Sequence, residues 1–222
     1  MLERFAIITA GGLGVRMNEA VPKQFLPLGG KSVMMYAIEP FSFFCKEIIV
    51  SLPKDYFSFW EELQTKYHFS VPHKVVAGGE TRFESVKNAL AYLPAQGWVA
   101  IHDAVRPFVS KKLIEKCFHE AEKYGNAVAS LPMTESLRMK EGEKNKSVDR
   151  SLFYRMQTPQ IFRCEEIKEA YNQDYRAEFT DDASILESQG KSIHLVEGEE
   201  QNRKITSPID RVLAENFIMN LK

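Results

Sequence analysis

Short apolar runs of strand length alternate along this chain with segments of helical periodicity, and that alternation restricts the fold more than any other property. Phe5–Ile8 and Glu47–Leu52 are β-rich apolar runs. Tyr56, Phe57, Phe59, Trp60 and Leu63 then follow at roughly helical spacing. Val75-Val76 leads into Gly78-Gly79, after which Phe83, Val86, Leu90 and Leu93 recur at helical offsets, with Thr81 and Glu84 placed as a capping box. Trp98–Ile101 predicts a strand. Ser110 predicts the start of a helix carrying Leu113, Ile114, Cys117 and Ala121, and Gly125 its end. Ala127–Leu131 predicts a further strand. A βαβα order of this kind implies a mostly parallel sheet covered by helices on both faces, a three-layer α/β architecture. The aromatic runs Phe41, Phe43, Phe44 and Phe57, Phe59, Trp60 are candidate core.

The regular order breaks at Pro132. The polar stretch Glu141–Ser147 lies between Ser136–Met139 and Val148–Ser151, which predicts two hairpin strands around an exposed tip. Such an arm either leans on a partner subunit or stands in solvent. Helical character returns at Ile167–Tyr171 and Ala183–Glu187, and a last helix is expected from Pro208, capped by Ser207. The whole chain, 1–222, reads as a single domain with its arm at about 134–156.

Composition excludes several classes of function. Of the 222 residues 44% are hydrophobic and 27% charged, enough for a full core. The net charge of -1 offers no basic field for nucleic acid. No apolar run approaches the roughly 18 residues of a membrane span. The first apolar stretch runs straight into a glycine loop and does not read as a signal peptide. Cys45, Cys117 and Cys164 are widely spaced and form no C-x-x-C, so free thiols in a reducing cytoplasm are expected.

The chemistry is concentrated where strands end. Gly11, Gly12 and Gly14 follow the first apolar run, with cations at Arg16 and Lys23. Backbone N–H groups and two cations leaving a strand make an anion cradle, suited to a triphosphate. It is not a Walker loop, because Gly14 is followed by Val15-Arg16. It is not the dinucleotide fingerprint either, because Met17 stands where the third glycine belongs. Three further clusters sit at strand ends: Gly78–Arg82, His102–Pro107, and Asn202–Thr206 with Lys204. In open α/β sheets that rim is where ligands bind. Asp103 is a candidate for Mg²⁺ or sugar hydroxyls, or else it pairs with Arg106 and shapes its loop. His102 reads as a buried strand residue. Thr180-Asp181-Asp182 has the form of a paired-carboxylate metal site, but reads better as a helix capped by Thr180 with two aspartates in its first turn, Thr180 keeping a hydroxyl for substrate. No Ser or Cys with a neighbouring base suggests a covalent nucleophile.

These residues resemble the 2-C-methyl-D-erythritol 4-phosphate cytidylyltransferases of the non-mevalonate isoprenoid pathway, over essentially the whole chain. The resemblance rests on Gly11-Gly12-x-Gly14-x-Arg16-Met17, Pro22-Lys23-Gln24, Gly78-Gly79-Glu80-x-Arg82-x-x-Ser85-Val86, His102-Asp103-Ala104-x-Arg106-Pro107, Val148-Asp149-Arg150, Gln157-Thr158-Pro159-Gln160, Thr180-Asp181-Asp182-Ala183-Ser184 and Val196-Glu197-Gly198. It implies a Rossmann-like nucleotidyltransferase fold with a projecting hairpin arm. It further implies attack of a sugar-alcohol phosphate on the α-phosphorus of CTP, with Mg²⁺ or another divalent cation, and no covalent enzyme intermediate. Arg16, Lys23 and Lys204 would act on the reacting phosphates. Ala10, Gly11, Gly12, Gly14, Gly79, Glu80, Arg82 and Ser85 would bind the nucleotide. Asp103, Arg106, Ser136, Arg150, Thr158 and Thr180 would meet the sugar-alcohol phosphate, Asp103 also the metal. Family members are homodimers with interlocking arms, so a homodimer is implied as well.

The chain departs from the family pattern in places. Thr9 and Gly11 replace a proline and an alanine, Val15 removes a common cation, and Glu135-Ser136 stands where Asp-Thr is usual. Ribitol-5-phosphate cytidylyltransferases share the N-terminal motifs, and the C-terminal half, with Val148-Asp149-Arg150 and Thr180–Ser184, separates them from this chain. A non-catalytic nucleotide-binding relative is the remaining alternative, and Arg16, Lys23, Asp103 and Lys204 argue against it.

Overall fold

A computed structural model describes residues 2–11 and 21–219. Gly12, Gly14 and Arg16 lie outside the described residues. The chain opens with β1 (Arg4–Thr9), and a small hairpin of β2 (Pro27–Leu28) and β3 (Lys31–Ser32) runs into α1 (Val33–Ile38). There follow β4 (Glu47–Leu52), α2 (Phe57–Lys66), β5 (Lys74–Ala77), α3 (Arg82–Leu90) and β6 (Trp98–Asp103). Next come α4 (Lys111–Tyr124), β7 (Asn126–Pro132) and the arm strands β8 (Leu137–Glu141) and β9 (Lys144–Val148). The chain returns through β10 (Tyr154–Arg163), α5 (Cys164–Ala170), α6 (Asp182–Glu187), β11 (Leu195–Glu197) and α7 (Pro208–Met219).

Seven strands form one sheet in the order β11-β7-β10-β6-β1-β4-β5. Only β10 runs antiparallel to its neighbours, β6 and β7. The expected three-layer α/β architecture is therefore present. β1 is buried on both faces, and its alternate residues part company as the period of two requires. Ala6 and Ile8 join α1, α2 and α4 in one cluster, with Met35, Trp60 and Phe118. Phe5 and Ile7 join α3, α5 and α6 in the other, with Phe83, Ile167 and Leu186. A third, smaller cluster lies away from the sheet: Ala214 and Ile218 of α7 and Ile205 pack on Leu26, Leu28 and Val33.

The topology fixes where a ligand can sit. From β1 the chain builds outward through β4 to β5, then crosses back to place β6 on the other side of β1. The winding reverses between β1 and β6, and Thr9 is registered against Asp103 at their carboxyl ends. A crevice at such a switch point is the usual ligand site of an open α/β sheet.

Local caps follow the sequence. Thr81 and Glu84 form the expected reciprocal box on α3, Ser110 caps α4, and Gly125 ends it in a left-handed conformation. Three expectations need correction. The arm's tip is not Glu141–Ser147: strand pairing continues to Glu141↔Lys144, leaving a two-residue turn in which Gly142 has φ +62°. The second arm strand is Lys144–Val148 rather than Val148–Ser151, which runs into a 3-10 turn at Arg150–Leu152; the outer part of the ribbon is exposed on both faces, so no alternation marked it. Asp181, not Thr180, caps α6, because its carboxylate accepts from the Ser184 N–H at 2.9 Å. Phe43 is not core: it is 62% exposed, with Lys111 Nζ over its ring at 3.1 Å.

Candidate active site

At the β1–β6 switch point lies a cavity of about 390 Å³, lined by Thr9, Ala10, Gly11, Lys23, Gln24, Glu80, Thr81, Arg82, Ser85, Asp103, Val105 and Lys204. That volume suits a small ligand. Its floor depends on close backbone approach. The Ser85 hydroxyl, on α3, accepts from the Gly79 N–H at 3.1 Å and donates to the Thr81 carbonyl at 2.9 Å. A Cβ at either Gly11 or Gly78 would sit 2.9 Å from this oxygen. The glycines thus let the ends of β1 and β5 close on the first turn of α3. Across the cavity, buried Gln24 donates to the Ala10 carbonyl at 2.7 Å. That bond ties the returning segment to the end of β1 and brings Lys23 to the rim.

The wall is a carboxylate surrounded by cations. Asp103, 6% exposed, has Lys204 Nζ at 3.1 Å, Arg106 Nε at 3.2 Å and Arg82 Nε at 3.4 Å. Burial alone would lift its carboxyl, but Lys204, Arg82 and Arg106 outweigh burial and hold the group far below the usual carboxylate range. Arg106 also donates to the carbonyls of Asn202 at 2.9 Å and Met156 at 3.3 Å. It staples the β6 loop to β10 and to the segment bearing Lys204. Behind Asp103 the Thr158 hydroxyl accepts from the Asp103 N–H at 3.1 Å and meets His102 Nδ1 at 2.9 Å. His102 Nε2 lies 3.1 Å from the Arg106 carbonyl. A neutral imidazole protonated at Nε2 satisfies all three contacts. Burial pushes His102 down to about 4, which keeps it neutral.

The structure sorts the expected residues by position. Ala10, Gly11, Lys23, Glu80, Arg82, Ser85, Asp103 and Lys204 line one cavity, with Gly79 bonded to its floor. Arg106 and Thr158 stand behind Asp103, where their polar atoms hold other residues in place. Thr180 lines a neighbouring pocket beside Arg82 and Tyr175. Ser136 and Arg150 are exposed at the base of the arm, where Arg150 donates to the Thr134 carbonyl at 2.6 Å. Among the described residues no group of three or more His, Cys, Asp or Glu could hold a metal ion. Mg²⁺ bound with a nucleotide needs only one or two protein carboxylates, and Asp103 fits that requirement. Its Oδ1 faces Arg82 Nε and its Oδ2 is shared by Arg106 Nε and Lys204 Nζ, so a metal there would compete with these cations.

Asp182, in sequence a first-turn aspartate, is wholly buried and receives both Nη groups of Arg82, at 2.9 and 2.6 Å. No local signal could have revealed this, because its partner is 100 positions away.

A glycine-floored cavity at the switch point of a parallel sheet, walled by lysine and arginine, defines an α/β enzyme that handles phosphorylated ligands. Comparison with known proteins narrows this class. Residues 5–220 match the family model for 2-C-methyl-D-erythritol 4-phosphate cytidylyltransferase. The enzyme of that name from Porphyromonas gingivalis is 47% identical over 214 residues, covering 96% of each chain. That from Bacteroides thetaiotaomicron is 44% identical over 211 residues, covering 94% of this chain and 96% of the relative. The crystal structure of 4-diphosphocytidyl-2C-methyl-D-erythritol synthase from Anaerococcus prevotii superposes with a TM-score of 0.84 at 26% identity, covering 98% of this chain and 96% of the other. The chain belongs to the 2-C-methyl-D-erythritol 4-phosphate cytidylyltransferase family.

Proposed function

We propose that this enzyme joins CTP and 2-C-methyl-D-erythritol 4-phosphate, giving 4-diphosphocytidyl-2-C-methyl-D-erythritol and pyrophosphate for isoprenoid precursor synthesis. A phosphate oxygen of the sugar alcohol attacks the α-phosphorus of CTP, and the bond to the β-phosphate breaks. Such a transfer needs positioning and charge neutralisation more than acid–base chemistry. The observation that carries the reading is the Asp103 cluster, where lysine and arginine meet one carboxylate beside a glycine floor. Lys23 and Lys204 neutralise charge at the reacting phosphates, a role shared with Arg16. The turn from Gly79 to Arg82, with Ser85, receives the nucleoside. Asp103 would be the protein carboxylate for Mg²⁺ entering with the triphosphate, and the metal would supply charge neutralisation on the departing pyrophosphate.

A homodimer completes the site in this reading. The arm root exposes Leu152, Phe153, Tyr154 and Met156, an apolar run suited to a second copy. Ser136 and Arg150 of that arm then reach the sugar-alcohol phosphate. No helix among the described residues is long and apolar enough to cross a membrane. Three free thiols suit a reducing cytoplasm. The test is pyrophosphate release with CTP and Mg²⁺, offering 2-C-methyl-D-erythritol 4-phosphate and D-ribitol 5-phosphate separately. Release with the first alone supports the proposal, and release with the second alone overturns it.

A further inference from the structure

We propose that Asp182, steadied by Tyr171, is a positioning residue that acts through Arg82 on the Asp103–Lys204 pair. The inference rests on the cavity being the site of cytidylyl transfer. Asp182 is the first residue of α6 and has no exposed surface. Its Oδ1 accepts from Arg82 Nη1 at 2.9 Å and from the Tyr171 hydroxyl at 2.6 Å, and its Oδ2 from Arg82 Nη2 at 2.6 Å. Tyr171 is itself buried and stacks on Phe83 with ring centroids 4.8 Å apart. Burial and the adjacent Asp182 carboxylate push its phenol well up, so it stays a donor.

The planar fork of Arg82 is thereby committed away from the cavity. Only its Nε edge faces Asp103 Oδ1, at 3.4 Å. The other oxygen of Asp103 is left to Arg106 Nε and Lys204 Nζ. A linked series, Asp182–Arg82–Asp103–Lys204, therefore runs from α6 through the start of α3 and the end of β6 to the segment before α7. An arginine fork binds a carboxylate best through two parallel bonds. Without the Asp182 charge, Arg82 is free to turn its fork onto Asp103 and displace Lys204, or to grip the triphosphate out of register. In either case the reacting groups lose alignment while the nucleotide still binds.

The test compares Asp182→Asn, Tyr171→Phe, Arg82→Met and Arg82→Met/Asp182→Asn, assayed well below each variant's melting temperature. Misalignment on the scale of an ångström costs about 10²-fold in rate. Asp182→Asn is accordingly expected to lower kcat by about 10- to 10²-fold with KM for CTP changed by less than about threefold, and Tyr171→Phe to shift kcat the same way by less. Because Asp182 acts through Arg82, the double variant should match Arg82→Met in kcat within about twofold. If Asp182→Asn does not fold, Tyr171→Phe alone carries the comparison. A lowered melting temperature with unchanged kcat in Asp182→Asn and Tyr171→Phe, or additive losses in the double variant, overturns the positioning role. A wild-type protein that releases no pyrophosphate removes the functional reading instead, and the positioning role with it.

Discussion

Replacing Asp103 with Asn removes one negative charge from the cavity wall and keeps nearly the same shape. Three cations lose their common partner, but they do not lose equally. The Arg106 side chain is 11% exposed, so its interaction is the least screened by water. Lys204 and Arg82, at 39% and 31%, are partly hydrated and their share must be discounted. Breaking a buried ion pair by removing one partner costs about 3–5 kcal/mol. Arg106 keeps two carbonyl acceptors, and the new amide oxygen still accepts one bond, so the expected loss is nearer 2–3 kcal/mol. For a domain of this size that corresponds to a fall of roughly 5–10 °C in melting temperature. The carboxyl's folded pKa is depressed, so its contribution is complete above the unfolded value and vanishes only as pH falls through the folded one. Measurement at pH 7 therefore captures all of it. Urea titration followed by the fluorescence of buried Trp60 and Trp98 gives the number. A loss below about 0.5 kcal/mol, the scale of ordinary surface substitutions, would refute the claim that this carboxylate organises the three cations.

Further expectations can be checked on the same protein. His102 is charged in the unfolded chain below about 6.5 but resists protonation in the fold until about 4, so stability present at neutral pH is lost between those values as pH falls. Wild type should lose about 2 kcal/mol more than His102→Gln between pH 7 and 4.5 in urea titrations, and equal losses would contradict the assignment. Lys23→Ala should cut turnover by about 10²-fold, the scale of one lost preorganised charge stabiliser, and activity within twofold of wild type would remove Lys23 from the mechanism. Arg150→Ala should weaken the sugar-alcohol phosphate more than CTP, because Arg150 stands in the arm rather than on the cavity wall. Equal changes in the two KM values would count against that division.

What the sequence revealed was mostly local. Thr81 with Glu84, and Ser110 with Gly125, announce helix ends through bonds spanning a few residues. The four strand-end clusters were legible because a parallel sheet sends all its carboxyl ends to one rim. β10 was missed: its Met156-Gln157-Thr158-Pro159-Gln160 centre is polar and interrupts the β7 register, so it reads as loop. Its polarity has a purpose visible only in three dimensions. Gln157 and Gln160 are buried because they bond the backbone at Glu199 and Ala183, far along the chain. Asp182 escaped for the same reason, since first-turn aspartates look alike whether they meet water or a buried arginine.

The third apolar cluster gives the site an unusual foundation. Leu26, three residues after Lys23, and Ile205, one residue after Lys204, both bury their side chains there, against Ala214 and Ile218 of α7. The two lysines assigned to the reacting phosphates are thus joined through α7, in addition to the Gln24–Ala10 bond at the end of β1 and the Ile205–Val105 backbone bond beyond β6. A change in how α7 packs therefore bears on the segments of both lysines at once.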